Sequence, residues 1–161
     1  MHRWRLATLG GDMDWRKSFR TVGQIMTQDV FTLHPEDVID LAASLMDWEH
    51  LHRVPVEDEK GRLVGLLTQR SLLRLLARGY GKPGSKPVAV REVMKTDVVT
   101  ASPDDSTLDA IKRMQDNGIG CLPVVKEGRL VGIITEHDFN IAGGRLLKAS
   151  LQADAQNRKI R

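Results

Sequence analysis

Cysteine occurs once in the 161 residues, as Cys121, so no disulfide can form within the chain and the lone thiol fits a reducing compartment. Aromatic residues make up only 4% of the chain, so any core must be built from aliphatic side chains. No apolar run approaches the roughly 18 residues that span a bilayer, and the basic start has no apolar centre of the kind a secretion signal carries. These gaps point to a soluble, cytoplasmic protein with no membrane partner. No nucleophile, base and oxyanion-donor set can be assembled from the motifs present, so no enzymatic activity is expected. His50 and His52 alternate along a segment expected to be extended, and no third ligand accompanies them, which leaves a metal without a site. Cys121 has no neighbouring His in sequence to activate it and reads as a small buried hydrophobe.

What the chain does contain is enough apolar material, 41% of its residues, for one compact unit or two small ones. Its net charge of +3 is unevenly placed. The segments before Thr21 and after Phe139 carry ten Lys/Arg against three Asp/Glu, while the body between them carries fourteen against eighteen. A nucleic-acid surface would gather its basic residues on the body, so nucleic acid is the disfavoured partner.

The chain is organised around Gly128 to Asp138, GRLVGIITEHD, an apolar Val/Ile-rich run opened by a charged turn. Such a run reads as a buried strand passing directly into a helix start. Thr135 and Asp138 stand three residues apart, on one face of the first helical turn, beside amides that lack intrahelical partners. A carboxylate there can accept from two adjacent ribose hydroxyls, while the threonine hydroxyl and free amides suit a phosphate or another ligand oxygen. Gly132 would let a neighbouring backbone come close. The same Thr-x-x-Asp spacing also matches a capping box, in which the acid reaches back to the backbone and no ligand is involved.

The stretch occurs twice. Gly61 to Ser71 reads GRLVGLLTQRS, and upstream Val22, Met26, Thr32, Pro35, Met46 and Pro55 recur at one constant offset as Val90, Met94, Thr100, Pro103, Met114 and Pro123. The offset falls by one at Gly61 and Gly128, so one residue is lost in that turn. A long period present only twice indicates a duplicated supersecondary unit and not a solenoid.

In order, residues 1–20 are expected to form a loose arm, pinned if at all by Trp4, Trp15 and Phe19. Repeat one spans 21–78, a Gly/Pro-rich linker 79–88, repeat two 89–151 and a frayed tail 152–161. Val30 to Leu33 reads as a short strand. A helix from Asp37 is expected to bury Val38, Leu41, Ala42, Leu45 and Trp48, and its counterpart Leu108, Ile111, Met114 and Gln115. Met46 and Met114 read as ordinary core residues. Arg53 to Glu57 and Cys121 to Val125 read as strands whose Pro55 and Pro123 suit an edge. Leu63 to Leu67 and Leu130 to Ile134 read as buried strands. The last helix begins near Glu136 and is expected to break at Gly143-Gly144.

The order V-x-x-x-M, T-x-x-P, amphipathic helix, x-P-V, G-R-L-V-G and T-x-x-D resembles the tandem cystathionine β-synthase (CBS) domain pair, the Bateman module, over roughly three quarters of the chain. The resemblance implies an α+β fold: two tandem strand-helix-strand-strand-helix units packed sheet to sheet with pseudo-two-fold symmetry. It implies a stand-alone, non-catalytic regulatory module that needs no cofactor. An adenosine-containing ligand (AMP, ADP, ATP, NAD or S-adenosylmethionine) would bind between repeats and alter their angle or a dimer interface for an unidentified protein partner. The implied homodimer would use the exposed side of Leu72 to Leu76 and Trp48.

Carried over by position, the ligand-binding residues are Thr135 and Asp138 from repeat two with Thr21, Val22, Met26, Leu51, His52 and Arg53 from repeat one. Asp138 would hold the ribose, Thr21 and Val22 the base edge, Met26 and Leu51 its faces, and His52-Arg53 a phosphate. A second, degenerate cleft would join Thr68 and Ser71 to Ala89, Val90, Met94 and Ile119. Ser71 stands there in place of the acid, and a hydroxyl cannot offer two charge-assisted acceptors to a diol. The alternative is a ligand-free dimerisation or interaction module that docks a protein or nucleic acid through its basic tails.

Overall fold

Each repeat folds around an antiparallel hairpin, and the two prolines fit because of which way their backbone faces. The computed structural model describes residues 19–82 and 84–159, with side chains as far as residue 152. The expected anchors Trp4 and Trp15 lie outside the described residues; Phe19 is half-buried. In repeat one, β1 (Arg53–Glu57) pairs with β2 (Leu63–Thr68), with Pro55 opposite Leu66. The Pro55 carbonyl accepts from the Leu33 amide at 3.0 Å, on the side away from β2, so the missing proline N–H faces outward and costs the hairpin nothing. Repeat two does the same with β3 (Cys121–Lys126) and β4 (Arg129–Thr135): the Ala101 amide donates to the Pro123 carbonyl at 3.0 Å.

The residue lost from the second hairpin is visible in its turn. Glu127 and Gly128, with φ of 51° and 77°, form a two-residue connection in which both centres are left-handed, a geometry matched to strand twist. The first hairpin instead closes through Asp58 to Arg62. There the Asp58 carboxylate accepts from the Lys60 and Arg62 amides at 2.9 and 3.0 Å and from Arg62 Nε at 2.7 Å. Those bonds, the guanidinium's first, hold the Asp58 carboxyl down from 3.8 to about 2.

The helices are α1 (Ile39–Trp48), α2 (Gln69–Ala77), α3 (Thr107–Asn117) and α4 (Glu136–Lys159), with short 3-10 turns at Val22–Gln24 and Val90–Glu92. Helix α1 buries a face rotated from the one expected: Ala42 and Met46 are inside as expected and Leu45 packs against the core, but Ile39 is buried while Val38, Leu41 and Trp48 are 43%, 55% and 77% exposed. The buried face is centred on Ala42 and Met46, and the bulkier Leu41 and Trp48 lie off it. Helix α3 repeats the pattern, burying Ala110 and Met114 and leaving Leu108 and Gln115 exposed.

Two further expectations are corrected. Residues 30–32 form no strand, since only Leu33 bridges to Val56. Helix α4 runs unbroken through Gly143-Gly144 and on to Lys159, past the expected fraying point. A glycine costs a helix interior only about 1 kcal/mol, too little to end one that is flanked on both sides by helix-forming residues.

By contacts the described chain forms two units, residues 19–28, 101–124 and 132–159 in one and residues 29–100 and 125–131 in the other. Each combines the body of one repeat with the opening segment of the other. In the second unit Leu33, Ile39, Ala42, Met46, Val54, Val56, Leu67 and Val90 form a continuous aliphatic core. In the first the buried residues include Val22, Ile25, Ala110, Met114, Leu122, Val124 and Ile134, and Cys121 is buried at 2% exposure.

Candidate functional site

The Gly128 to Asp138 stretch folds as its sequence implied: strand β4 ends at Thr135 and α4 begins with the next residue. Asp138, on the first turn, is 7% exposed. Its Oδ2 accepts from the Thr135 amide and from the Thr135 hydroxyl, both at 2.7 Å, and the Asp138 amide donates to Thr135 Oγ1 at 3.4 Å. This is the capping-box arrangement that the spacing left open. It engages one carboxylate oxygen. The other, Oδ1, accepts only from the Thr27 hydroxyl at 3.5 Å among the described residues.

Thr27 was missed in the sequence because its counterpart in repeat two is Lys95, so the repeat gave no pair to notice. The backbone fixes it in place. Thr27 and Ile133 exchange two amide bonds of 2.9 Å each, which lays the opening segment of repeat one along β4 of repeat two. Gly132 permits that approach, since a Cβ there would stand 2.8 Å from the Thr27 carbonyl oxygen and 2.8 Å from Met26 Sδ.

The rest of the segment is docked as firmly. The Val22 amide donates to Asp105 O at 2.9 Å and the Gly23 amide to Pro103 O at 2.8 Å, while Thr21 bridges to Ser106. The Asp105 carboxylate accepts from the Ser102 amide and from Arg113, each at 2.9 Å. The amide first and the guanidinium second hold its carboxyl below the usual range, against the opposing effect of burial. Thr21, Val22, Met26, Thr135 and Asp138 therefore belong to one unit. Leu51, His52 and Arg53 belong to the other, and Ile119, expected in the second cleft, belongs to the first.

In the second unit the same bonds recur at the equivalent positions. The Val90 amide donates to Asp37 O at 2.8 Å, the Arg91 amide to Pro35 O at 3.0 Å, and Lys95 and Leu66 exchange bonds of 3.0 and 2.9 Å. Val90, Met94, Thr68 and Ser71 are thus gathered on one scaffold, with Ala89 bridged to Val38. The helix start differs in chemistry. Thr68 caps α2 by accepting from the Ser71 amide at 3.1 Å, and the two hydroxyls lie 3.1 Å apart, with no carboxylate.

The His52 Nδ1 is 2.7 Å from Gln69 Oε1, an exposed contact that joins the start of β1 to the start of α2. Arg53 pairs with Thr68 in the hairpin and is half-buried. His50 has a φ of 52°, so the expected extended alternation of His50 and His52 does not occur; repeat two places Gly118 there, at 60°. Among the described residues no group of three or more metal-ligating side chains comes together, and no helix is long and apolar enough to cross a membrane.

Comparison with known proteins places this geometry in a group. The family model for the CBS domain matches residues 22–78 and again 90–142. The chain is 38% identical over 121 residues to the CBS domain-containing protein YhcV of Bacillus subtilis, across 75% of this chain and 84% of that protein. It is also 38% identical over 121 residues to a homoserine O-acetyltransferase of Methanococcoides burtonii, but there it spans only 23% of the relative's length. Among solved structures, AcuB from Vibrio cholerae superposes with a TM-score of 0.73 at 32% identity, covering 82% of this chain and 96% of that one. The CBS domain pair of protein MJ0100, solved with 5′-methylthioadenosine and S-adenosyl-L-methionine, gives 0.69 at 29% identity, covering 78% and 97%. CBSX2 in complex with AMP gives 0.64 at 25% identity, covering 83% and 98%.

Proposed function

The chain belongs to the CBS-domain family, and from that premise we propose that it is a non-catalytic regulatory module of the cytoplasm that binds an adenosine-containing ligand through Asp138 and passes the event on by a conformational or oligomeric change. The observation that carries the proposal is the state of one carboxylate. Asp138 is 7% exposed, yet its Oδ1 is served only by a 3.5 Å bond among the described residues. A carboxylate oxygen so weakly paired keeps acceptor capacity for an incoming donor. Support also comes from the adenosyl compounds bound by the CBS pair of MJ0100 and by CBSX2. Thr21, Val22 and Met26, on the segment next to Thr27, would meet the base. The degenerate start at Thr68 and Ser71 would leave the ribose unheld. Trp48, Leu73 and Leu76, at 77%, 65% and 54% exposure, would form the homodimer contact.

A second reading has an observation of its own. The two 2.7 Å bonds from Thr135 to Oδ2 are what a helix cap needs, and a ligand-free interaction module would show them too. A thermal-shift panel of AMP, ADP, ATP, NAD and S-adenosylmethionine separates the two. At a hundredfold excess over the dissociation constant a bound ligand adds about 2.7 kcal/mol of stability, and Asp138→Ala should abolish that response. If no compound shifts the parent protein and Asp138→Ala merely lowers stability by a cap's worth, about 1 kcal/mol, the interaction-module reading stands instead.

A further inference from the structure

Resting on the adenosyl-binding reading above, we infer that Thr27 contacts the ligand, and that the two adjacent ribose hydroxyls are divided between Asp138 Oδ1 and Thr27 Oγ1 instead of both falling on the carboxylate. Oδ2 is committed elsewhere. It accepts two 2.7 Å bonds from Thr135, and turning it toward a ligand would strip the first α4 turn of its cap. Oδ1 is the oxygen left over. Its 3.5 Å separation from Thr27 Oγ1 is far longer than the roughly 2.5–2.7 Å at which a hydroxyl serves a carboxylate. Thr27 cannot close that gap by moving its backbone. Both its amide and its carbonyl are tied to Ile133 at 2.9 Å, and Gly132 already brings the strands as near as they can come.

The result is a pair of oxygens, one anionic acceptor and one hydroxyl that both donates and accepts, held a fixed distance apart on a rigid scaffold. A vicinal diol has the matching form. One hydroxyl donates to Oδ1, and its neighbour exchanges a hydrogen bond with the Thr27 hydroxyl. The second unit supplies an internal contrast. Its backbone holds Lys95 against Leu66 by the same two bonds, at 3.0 and 2.9 Å, but the side chains at the two positions are Lys95 and Ser71, and the oxygen pair is absent. Thr27 thus marks the difference between the units as clearly as Asp138 does.

The test is calorimetric titration of AMP, 2′-deoxyAMP and 3′-deoxyAMP into the parent protein, Thr27→Val and Thr27→Ser. Thr27→Val should weaken AMP about tenfold, the size of one lost hydrogen bond. It should also erase the penalty for lacking one of the two hydroxyls while keeping the penalty for lacking the other, and Thr27→Ser should restore the parent pattern. A purely structural role would lower affinity for all three ligands by one common factor, and that result overturns the inference, as does a Thr27→Val protein that binds all three like the parent. Failure of the parent to bind any of AMP, ADP, ATP, NAD and S-adenosylmethionine removes the adenosyl-binding reading itself, and the role of Thr27 with it. Where a compound other than AMP binds, the same variants are read with that compound and its 2′- and 3′-deoxy forms.

Discussion

Gly132→Ala measures how tightly the opening segment is held against β4. The added Cβ would stand 2.8 Å from the Thr27 carbonyl oxygen, 2.8 Å from Met26 Sδ and 3.3 Å from Met26 Cγ. Carbon and carbonyl oxygen tolerate roughly 3.3 Å, so Thr27 must retreat by about half an ångström. Its carbonyl and amide are the two ends of the bridge to Ile133, so the retreat strains both 2.9 Å bonds. Overpacking of this kind costs about 1–3 kcal/mol, and weakening the two bonds places the total at the upper end, about 2–3 kcal/mol. For a chain of this length that lowers Tm by about 4–10 °C. Gly65→Ala is the matched control. Its Cβ would overlap Met94 Sδ but would meet backbone only at 3.2 Å, at Lys95 O, and a methionine side chain can swing aside where a bridged carbonyl cannot. Thermal melts followed by circular dichroism should therefore rank Gly132→Ala as clearly the more damaging. A Gly132→Ala protein melting within a degree of the parent, or a Gly65→Ala protein melting lower still, would refute the reasoning.

Other substitutions probe the backbone and the charges. Gly143→Ala and Gly144→Ala, where a Cβ would meet nothing within 4 Å, should each stabilise α4 by about 0.5–1 kcal/mol, read from urea unfolding; no gain would mean the helix is not continuous there. His50→Gly should relieve a left-handed φ of 52° and raise stability by about 0.5–1 kcal/mol in the same assay. Asp58 is held down from 3.8 to about 2 by the Arg62 guanidinium first, then by the Arg62 and Lys60 amides, so its contribution is complete above pH 3.8 and disappears as pH falls toward 2. Asp105, lowered by the Ser102 amide and then by Arg113, acts in the same direction. Melts from neutral pH downward should show a loss of stability in that acid window which Asp58→Asn reduces, and an unchanged slope in the variant would contradict the assignment.

The hairpins were legible from sequence because strand-length apolar runs flank the charged, glycine-ended turns Asp58 to Gly61 and Lys126 to Gly128. The inward face of α1 was legible only in part. Ala42 and Met46 are buried as expected, but periodicity alone cannot fix how far the apolar face is rotated, and Ile39 is buried where Leu41 and Trp48 are exposed. Gly143-Gly144 reads as a stop on local propensity alone, and the helical sequence on both sides overrides it. At the site, the repeat alignment found Thr135 and Asp138 and the loss of the acid at Ser71. It could not find Thr27, since a search for paired residues overlooks a position where the copies differ. Nor could spacing tell that one carboxylate oxygen is spent on Thr135 and one is left.

The central claim is that the two helix starts are chemically unequal and that only the one bearing Asp138 grips a riboside. The stoichiometry of AMP binding by isothermal titration calorimetry tests it most directly. One ligand per chain is expected for the parent, and none for an Asp138→Ala protein that still melts cooperatively. Two ligands per chain, or binding undiminished in Asp138→Ala, would contradict it.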